Sequence, residues 1–491
     1  MGNHVVSYQS PRPEVVIWKP DKSGTPLRFD TANKTLLQSY SFGTSINDEK
    51  GKFSLTFYPG NEVNDFGDIG LNDDNGKSIL DNISVMDIVQ IFESNNHFVQ
   101  STSLGQGSSS ANSPMPTFTG VIREKKYVAQ IAENGVTRKV VISGHSIVGL
   151  VQEFRINLDM QATTITAELA NNKEIQNEFT IKFIQSDNST LSLEYVIKEI
   201  WKSFINLSSQ YQKSSNPKIV EYIKTWIGSE TDIFEVDDSK FHYPLGSVFK
   251  GQTTQSFFEV ISHLVPKPVY EIFPHTERST GKMRLIIREV QFDPSAWNGL
   301  DKKTIDPNHV KSFDVKQNNN EIYTVFFSYL NGFPIQEDKA IILAAQGVSD
   351  MPGLEIDQDN FPVYGYRPLF ASFNGYGRAD GVDDTDTAAK LQKLNLRLKD
   401  WFSKKEKKYS GTITMETNLL EDMPQAGEKI QFLGGEFYVV DSEHNWNYGG
   451  APEAKISLDR GGDYSDGGVF AELKNMTLRY QEFEKTIGRQ S

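Results

Sequence analysis

The sequence predicts a β-rich α+β chain in which two β-regions flank a small α/β unit, and three observations carry that prediction. Apolar and polar residues alternate with period two from Gln38 to Phe57 and again from Phe118 to Ser143, the pattern of strands with one buried face. Helical spacing replaces it between Ser192 and Pro266. Alternation returns from His309 and runs, with one helical interruption, to Asp459. The expected division is residues 1–160 for a first β-domain with long loops, 161–300 for the middle α/β domain, 301–465 for a second β-domain with an inserted helix, and 466–491 for a C-terminal extension.

In the first region Phe53, Leu55 and Phe57 alternate with Ser54 and Thr56, and Tyr58-Pro59-Gly60 ends the strand in a turn. A short strand, Ile88 to Phe92, precedes Gly105 to Pro116, a Ser/Gly/Pro stretch expected to be a mobile loop because it has little to pack. Phe118 to Ala129 and Arg138 to Ser143 read as a hairpin closed around Glu133-Asn134-Gly135, since Asn-Gly accepts the positive φ that tight hairpin turns require. In the middle region Ser192 is placed to N-cap a helix carrying Leu193, Ile197, Ile200, Trp201 and Phe204. Pro217 suits the first position of a second helix with Val220, Ile223 and Ile227 on one face. Ser256-x-x-Glu259 is a capping box ahead of Phe257, Phe258, Ile261 and Leu264, and Pro266 stops that helix. Strands at Val269 to Phe273 and Met283 to Arg288 complete the unit.

The second β-region opens with Phe313 and Val315 and continues through Ile322 to Ser328. A polar segment, Gly353 to Asp384, leads into a helix capped near Thr385 with Leu391, Leu394, Leu398 and Trp401 on one face. Strands at Gly411 to Thr417, Lys429 to Phe432, Glu436 to Asp441 and Ala454 to Asp459 follow. The ends of the two β-regions echo each other. EKIQF precedes EFYVVDSEHNWNYGGAPEAKISLDRG much as DIVQIF precedes TFTGVIREKKYVAQIAENGVTRKVVISG. Either this is the pattern any two antiparallel domains share, or the chain carries two copies of one barrel, which would let three chains present six similar units.

Composition narrows the function. With 37% hydrophobic residues the chain folds, and a net charge of -14 disfavours stable nucleic-acid binding. The absence of cysteine excludes disulfides, thiolate metal sites and a Cys nucleophile. No leader pattern opens the sequence, no apolar run reaches the ~20 residues of a membrane span, and Val6 stands where myristoylation wants Ser or Thr, so no membrane anchor is expected. The eight histidines never fall at H-x-H or H-x-x-x-H. Gly144-His145-Ser146-Ile147-Val148-Gly149 is one residue too long for a nucleophile elbow and reads as a strand end with Gly turns. Acidic clusters at Asn72 to Gly76 and Asp380 to Asp386 lack the spacing of a calcium loop, and Asp383, Asp384 and Asp386 suit a helix N-terminus. There is no phosphate loop, Gly375-Tyr376-Gly377 lacks a third glycine, and the basic run Lys404 to Lys408 reads as a solvated helix end. No catalytic, cofactor-binding or metal-binding residue, and no cofactor, is expected. Two alternatives stay open: a polysaccharide hydrolase using an unpatterned carboxylate pair, and a glycan-binding receptor module with Trp446 and Tyr448 at a hairpin tip.

The C-terminal half has a distinctive succession. A helix with Trp401 is followed by YSGTITM, PQAGEKIQF, EFYVVDSEHNWNYGG and AKISLDRGG, which places Gly427, Ile430, Tyr438, Val439, His444, Arg460 and Gly461 in order. Upstream, MRLIIREVQFDPSAW leads into HVKSFDVKQNNNEIYTVFFS. This succession, over most of Ser192 to Gly462, resembles the central baseplate hub proteins of phage tails, tailocins and related contractile injection systems. The sequence departs from that family in the loops Asn61 to Lys77 and Gly105 to Pro116 and in Gly353 to Asp384. The resemblance implies two tandem tube-like β-barrel domains with an intervening small α/β domain. It implies a homotrimer at the tail axis, with the tail tube protein on one side and the spike or tail-tip protein on the other. Wedge or distal-tail proteins and the tape-measure protein would be further neighbours, in a virion or tailocin particle assembled in the host bacterial cytoplasm. It implies no enzyme, since no peptidoglycan hydrolase segment follows Gly462. Tube contacts are then expected on the hairpins Phe118 to Ser143 and Glu436 to Asp459, with Phe118, Val121, Val140, Ile142, Ile430, Phe432, Phe437, Tyr438, Val439, Ile456 and Leu458 as interface residues.

Overall fold

A computed structural model describes residues 13–22, 24–30, 37–48, 50–58, 79–93, 115–132, 135–157, 163–166, 182–185, 191–211, 222–236, 242–243, 254–265, 267–292, 294–316, 321–330, 354–373, 384–403, 409–416, 424–432, 435–448, 450 and 452–461. The expectations for the loops 61–77 and 105–114, the turn 133–134, the helix start at Pro217, the acidic residues 380–383, the basic run 404–408 and the extension 466–491 lie outside the described residues.

The first region contains β1 (Glu14–Trp18), β2 (Leu27–Asp30), β3 (Leu37–Ser45), β4 (Lys52–Phe57), β5 (Ile88–Phe92), β6 (Phe118–Ala132), β7 (Gly135–Ser146) and α1 (Ile147–Glu153). The middle region holds β8 (Arg155–Asn157), β9 (Thr163–Thr166), β10 (Lys182–Gln185), β11 (Leu191–Ser192), α2 (Leu193–Tyr211), α3 (Glu230–Ile233), β12 (Phe234–Val236), β13 (His242–Tyr243), β14 (Thr254–Ser256), α4 (Phe257–Leu264), β15 (Tyr270–Thr276) and β16 (Met283–Glu289). The last region holds β17 (Lys302–Thr304), β18 (Val310–Lys316), β19 (Val325–Leu330), β20 (Leu354–Ile356), α5 (Phe361–Tyr364), β21 (Pro368–Phe373), α6 (Asp384–Phe402), β22 (Tyr409–Glu416), β23 (Lys429–Phe432), β24 (Gly435–Asn447) and β25 (Glu453–Gly461). The chain is β-rich, as expected.

Both β-regions join one 13-stranded sheet in the order β18-β22-β25-β24-β3-β4-β7-β6-β5-β1-β2, with β23 on β24 and β17 on β23. Its two halves repeat. The first runs β3-β4-β7-β6-β5 and the second β18-β22-β25-β24-β23, every neighbour antiparallel. The registers correspond as well: Ile88 faces Val121 and Val121 faces His145 in one half, while Lys429 faces Tyr438 and Tyr438 faces Asp459 in the other. Two bulges fall at matching places, between Ile122 and Glu124 and between Val439 and Asp441 on the long strands, and between Leu37 and Ser39 and between Val310 and Ser312 on the outer ones; a third, between Tyr409 and Gly411, belongs to the second unit alone. A pattern common to any two antiparallel domains would not reproduce register and bulge together.

Local chemistry explains the helices. Ser256 and Glu259 close the expected capping box, with Glu259 accepting from the Ser256 N–H at 2.6 Å and Ser256 from the Glu259 N–H at 3.1 Å. Ser192 accepts from the Tyr195 N–H at 3.3 Å at the start of α2. Two expectations are corrected. The stretch after β7 is a helix, not a strand end with Gly turns: Ser146 caps α1 by accepting from the Gly149 N–H at 3.0 Å. The segment from Gly353 to Asp384 is not only polar connection, since it carries β20, α5 and β21, which build a small sheet in the order β20-β19-β21.

Among the described residues three apolar cores result. The largest joins the first β-unit to the middle domain through Phe42, Phe118, Trp201 and Phe257, a second fills the last β-unit with Ile413, Ile430, Phe437, Val439 and Ile456, and a third lies under β19 and β20.

Candidate functional site

The feature that couples the two β-units is the seam where β24 meets β3. Upstream of its bulge β24 pairs with β23; downstream it turns to pair with β3, Asp441 opposite Ser45 through Asn447 opposite Ser39. Ile46 N–H to the Val440 carbonyl at 2.9 Å and Tyr448 N–H to the Gln38 carbonyl at 2.7 Å extend the ladder at both ends. The side chains facing inward stack: Trp446 on Tyr40 at 5.7 Å and 21°, and His444 on Phe42 at 4.5 Å and 30°.

Beneath them lies a buried polar chain. Tyr40 donates its hydroxyl to Glu93 Oε1 at 2.7 Å, His444 Nδ1 lies 2.8 Å from Glu93 Oε2, His444 Nε2 lies 3.0 Å from Ser442 Oγ, and the Ser442 hydroxyl donates to the Pro424 carbonyl at 2.6 Å. Burial and the Glu93 charge hold the Tyr40 hydroxyl well above the usual phenol range. Ser442, His444 and Glu93 have the order of a hydrolase triad, but each is only 2% exposed. The one Ser442 proton is committed to a backbone carbonyl, so His444 cannot collect it as a general base. The arrangement locks two strands together.

A second network docks the last β-unit on the hairpin of β15 and β16. Arg288 donates to Glu271 Oε1 at 3.0 Å, to the Gly427 carbonyl at 2.7 Å and to the Tyr438 hydroxyl at 2.8 Å. Tyr438 in turn donates to Glu271, and Arg460 lies over the Tyr438 ring. Burial, with the Glu271 charge, raises the Tyr438 pKa strongly. Gly427 sits at φ 85, and a Cβ there would come within 2.4 Å of the Phe273 ring. Thus every residue of the motif from Gly427 to Gly461 has structural work: Ile430 and Val439 fill the core, Tyr438 and Arg460 dock the hairpin of β15 and β16, His444 closes the seam, and Gly461 lies under Phe437.

Beside this network a cavity of about 440 Å³ is lined by His275, Arg278, Arg284, Asp301 and Glu428 among others. Ligand atoms of His275, Asp301 and Glu428 lie within 4.8 Å of one another. Glu428, however, accepts from Arg278 at 3.1, 3.0 and 2.9 Å and from the Gln425 N–H at 2.8 Å, which occupies its lone pairs. A cation there would have to displace a guanidinium.

The eleven residues expected at an interface lie in the interior of the single chain. Phe118, Val121, Val140, Ile142, Ile430, Phe432, Phe437, Tyr438, Val439, Ile456 and Leu458 are all between 0 and 3% exposed, so their side chains fill the interior. Trp446 is likewise 2% exposed, which removes it from the glycan-stacking alternative and leaves only Tyr448 at the surface. Sequence reading missed Glu93 and Tyr40 in the seam; the only available signal was a carboxylate at the end of an apolar strand, IVQIFE.

No family model matches the sequence, and no curated protein matches it. Among solved structures, the chain is similar to a tail protein from Neisseria meningitidis MC58 at 10% identity and a TM-score of 0.44, over 93% of this chain and 97% of that one. It is similar to the prophage MuSo2 tail protein from Shewanella oneidensis at 10% identity and a TM-score of 0.45, over 91% and 98% of the two chains. A third is the E. coli c3393 protein, a component of the type VI secretion system, at 7% identity and a TM-score of 0.36, over 88% and 74%. Likenesses of this size carry no functional conclusion.

Proposed function

We propose that the chain is a structural hub of a phage tail, tailocin or related injection particle, in which three copies form a ring that adapts a sixfold tail tube to a threefold spike or tip. The observation that carries this reading is the internal repeat: one chain holds two β-units with the same strand order, corresponding registers and two shared bulges, already joined edge to edge. Three such chains supply six near-equivalent units, the match a sixfold tube needs, while the middle domains keep threefold symmetry. In this reading each unit, once its neighbours are in place, is a tube-like barrel. The sequence resemblance of residues 192–462 to tail hubs supports the same assignment.

The hub acts by shape, without catalysis, and its place is the virion or particle. The outward-facing residues of the two hairpins meet the tube protein, since the inward-facing ones are core. The net charge of -14 per chain discourages DNA or an unfolded tape-measure protein from adhering to the ring. Light scattering on the purified chain gives a mass near three times 55.4 kDa, with rings in negative stain that cap isolated tail tubes. Discrete particles of another symmetry, or steady turnover of a cell-wall or capsular polysaccharide, overturn the reading.

A further inference from the structure

The repeat also identifies which strand edges join one chain to the next. Corresponding positions follow from the shared registers: β6 corresponds to β24 and β18 to β3, so that Tyr127 stands where His444 stands, Ala129 where Trp446 does, Val315 where Phe42 does and Phe313 where Tyr40 does. Within the chain, the stretch of β24 after its bulge pairs with β3. The corresponding stretch of β6 and the outer edge of β18 have no strand across from them among the described residues. They are the two halves of a second seam, carried at opposite ends of the same sheet.

We infer that β6 of one chain, beyond its bulge, pairs antiparallel with β18 of a second copy, in the register of the internal seam: Lys126 opposite Lys316, Tyr127 opposite Val315, Val128 opposite Asp314, Ala129 opposite Phe313 and Gln130 opposite Ser312. The inference rests on the ring reading above and names its joints.

Exposure at these positions agrees. His444 and Trp446 are 2% exposed because β3 covers them, whereas Tyr127 is 60% exposed. Tyr40 and Phe42 are buried under β24, whereas Phe313 and Val315 are only half-buried over the last unit's core. Downstream of its bulge, β24 places Trp446 in the core of the neighbouring β-unit. Tyr127 and Ala129 do the same for the next chain, covering Val315 and Phe313. On the outer face the like-charged pair of Lys126 and Lys316 is bracketed diagonally by Asp314 and Glu124, so the edge is not purely apolar, and that restrains indiscriminate strand addition.

The chain has no cysteine, so paired substitutions report the register directly. The full-length variant V128C/D314C is oxidised, and the internal-seam variant S41C/N445C, at the corresponding positions, serves as the control. The control closes within one chain and stays at monomer mass. V128C/D314C gives reducible dimers and trimers near two and three times 55.4 kDa. A separate variant, Tyr127→Asp, changes an exposed side chain, gives up its 3.1 Å hydroxyl bond to Asp81 so that the single chain melts at most a few degrees lower, and shifts the population to monomer. If the wild type is trimeric and the control oxidises but V128C/D314C stays monomeric on the gel, the edges are wrong and the ring reading stands. If the wild type is monomeric at every concentration and neither cross-links nor responds to Tyr127→Asp, both fail.

Discussion

Replacing His444 with alanine tests the seam most directly. Glu93, itself only 2% exposed, loses its imidazole partner and keeps only the Tyr40 hydroxyl, while Phe42 loses the ring stacked on it at 4.5 Å. Leaving a buried carboxyl group short of a hydrogen-bond partner costs about 1–3 kcal/mol, and more where the group is charged. The cost falls on the β24–β3 pairing. Hydrogen–deuterium exchange therefore speeds up in peptides covering residues 39–45 and 441–447, by roughly a hundredfold or more for a 3 kcal/mol loss. Exchange in the hairpin of β15 and β16, which has its own network with Tyr438, changes much less. The triple replacement Y40F/E93L/H444F, which removes the polar groups together and keeps an aromatic ring on Phe42, recovers most of the loss. Slow exchange in the seam of H444A, with an unchanged melting midpoint, refutes the assignment of Glu93 and His444 as its lock.

Three further outcomes are expected. Gly427→Ala forces a Cβ within 2.4 Å of the Phe273 ring at φ 85 and lowers stability by about 1–3 kcal/mol, read as a lower urea midpoint with unchanged slope. Ser146→Ala removes the α1 cap and costs about 1 kcal/mol in thermal or chemical melting. Burial lowers the His275 pKa, so the unfolded chain takes up a proton first as the pH falls below about 6.5, and stability declines from there until the folded-state pKa is reached; in H275Q that part of the pH dependence disappears from melting curves.

Much of the strand content was legible because alternation reports a half-buried face directly. Phe53, Leu55 and Phe57 are inward and buried while Ser54 and Thr56 are half-exposed, and Ser256 caps α4 through Glu259 as the spacing requires. Helix α1 was not legible. It is seven residues long, and its Gly149, a poor helix former, is there because a Cβ would come within 2.8 Å of the Lys50 carbonyl. The short elements β20, α5 and β21 were hidden among Gly, Asp and Pro, whose turn preferences outweigh a few apolar residues. Alternation also identified Val121 or Ile456 as facing one way without telling core from interface, since both environments select the same side chains. The echo between the two halves was visible as text. That it extends to register and bulge was not, because alternation within one strand does not name the partner strand, which lies as far off as Met415 from Val310 or His145 from Lys52.

The bulge in β24 has a thermodynamic consequence for the whole chain. By inserting one residue it reverses which face of the strand points inward, so Phe437 and Val439 complete one core and, a few residues later, Trp446 completes another. Neither half can then melt while the other stays intact, since a single strand is shared between them. A duplicated module built this way has lost its autonomy: truncation at the midpoint strips β24 from β3 and uncovers Tyr40 and Phe42, where two tethered domains would each have kept its own edge.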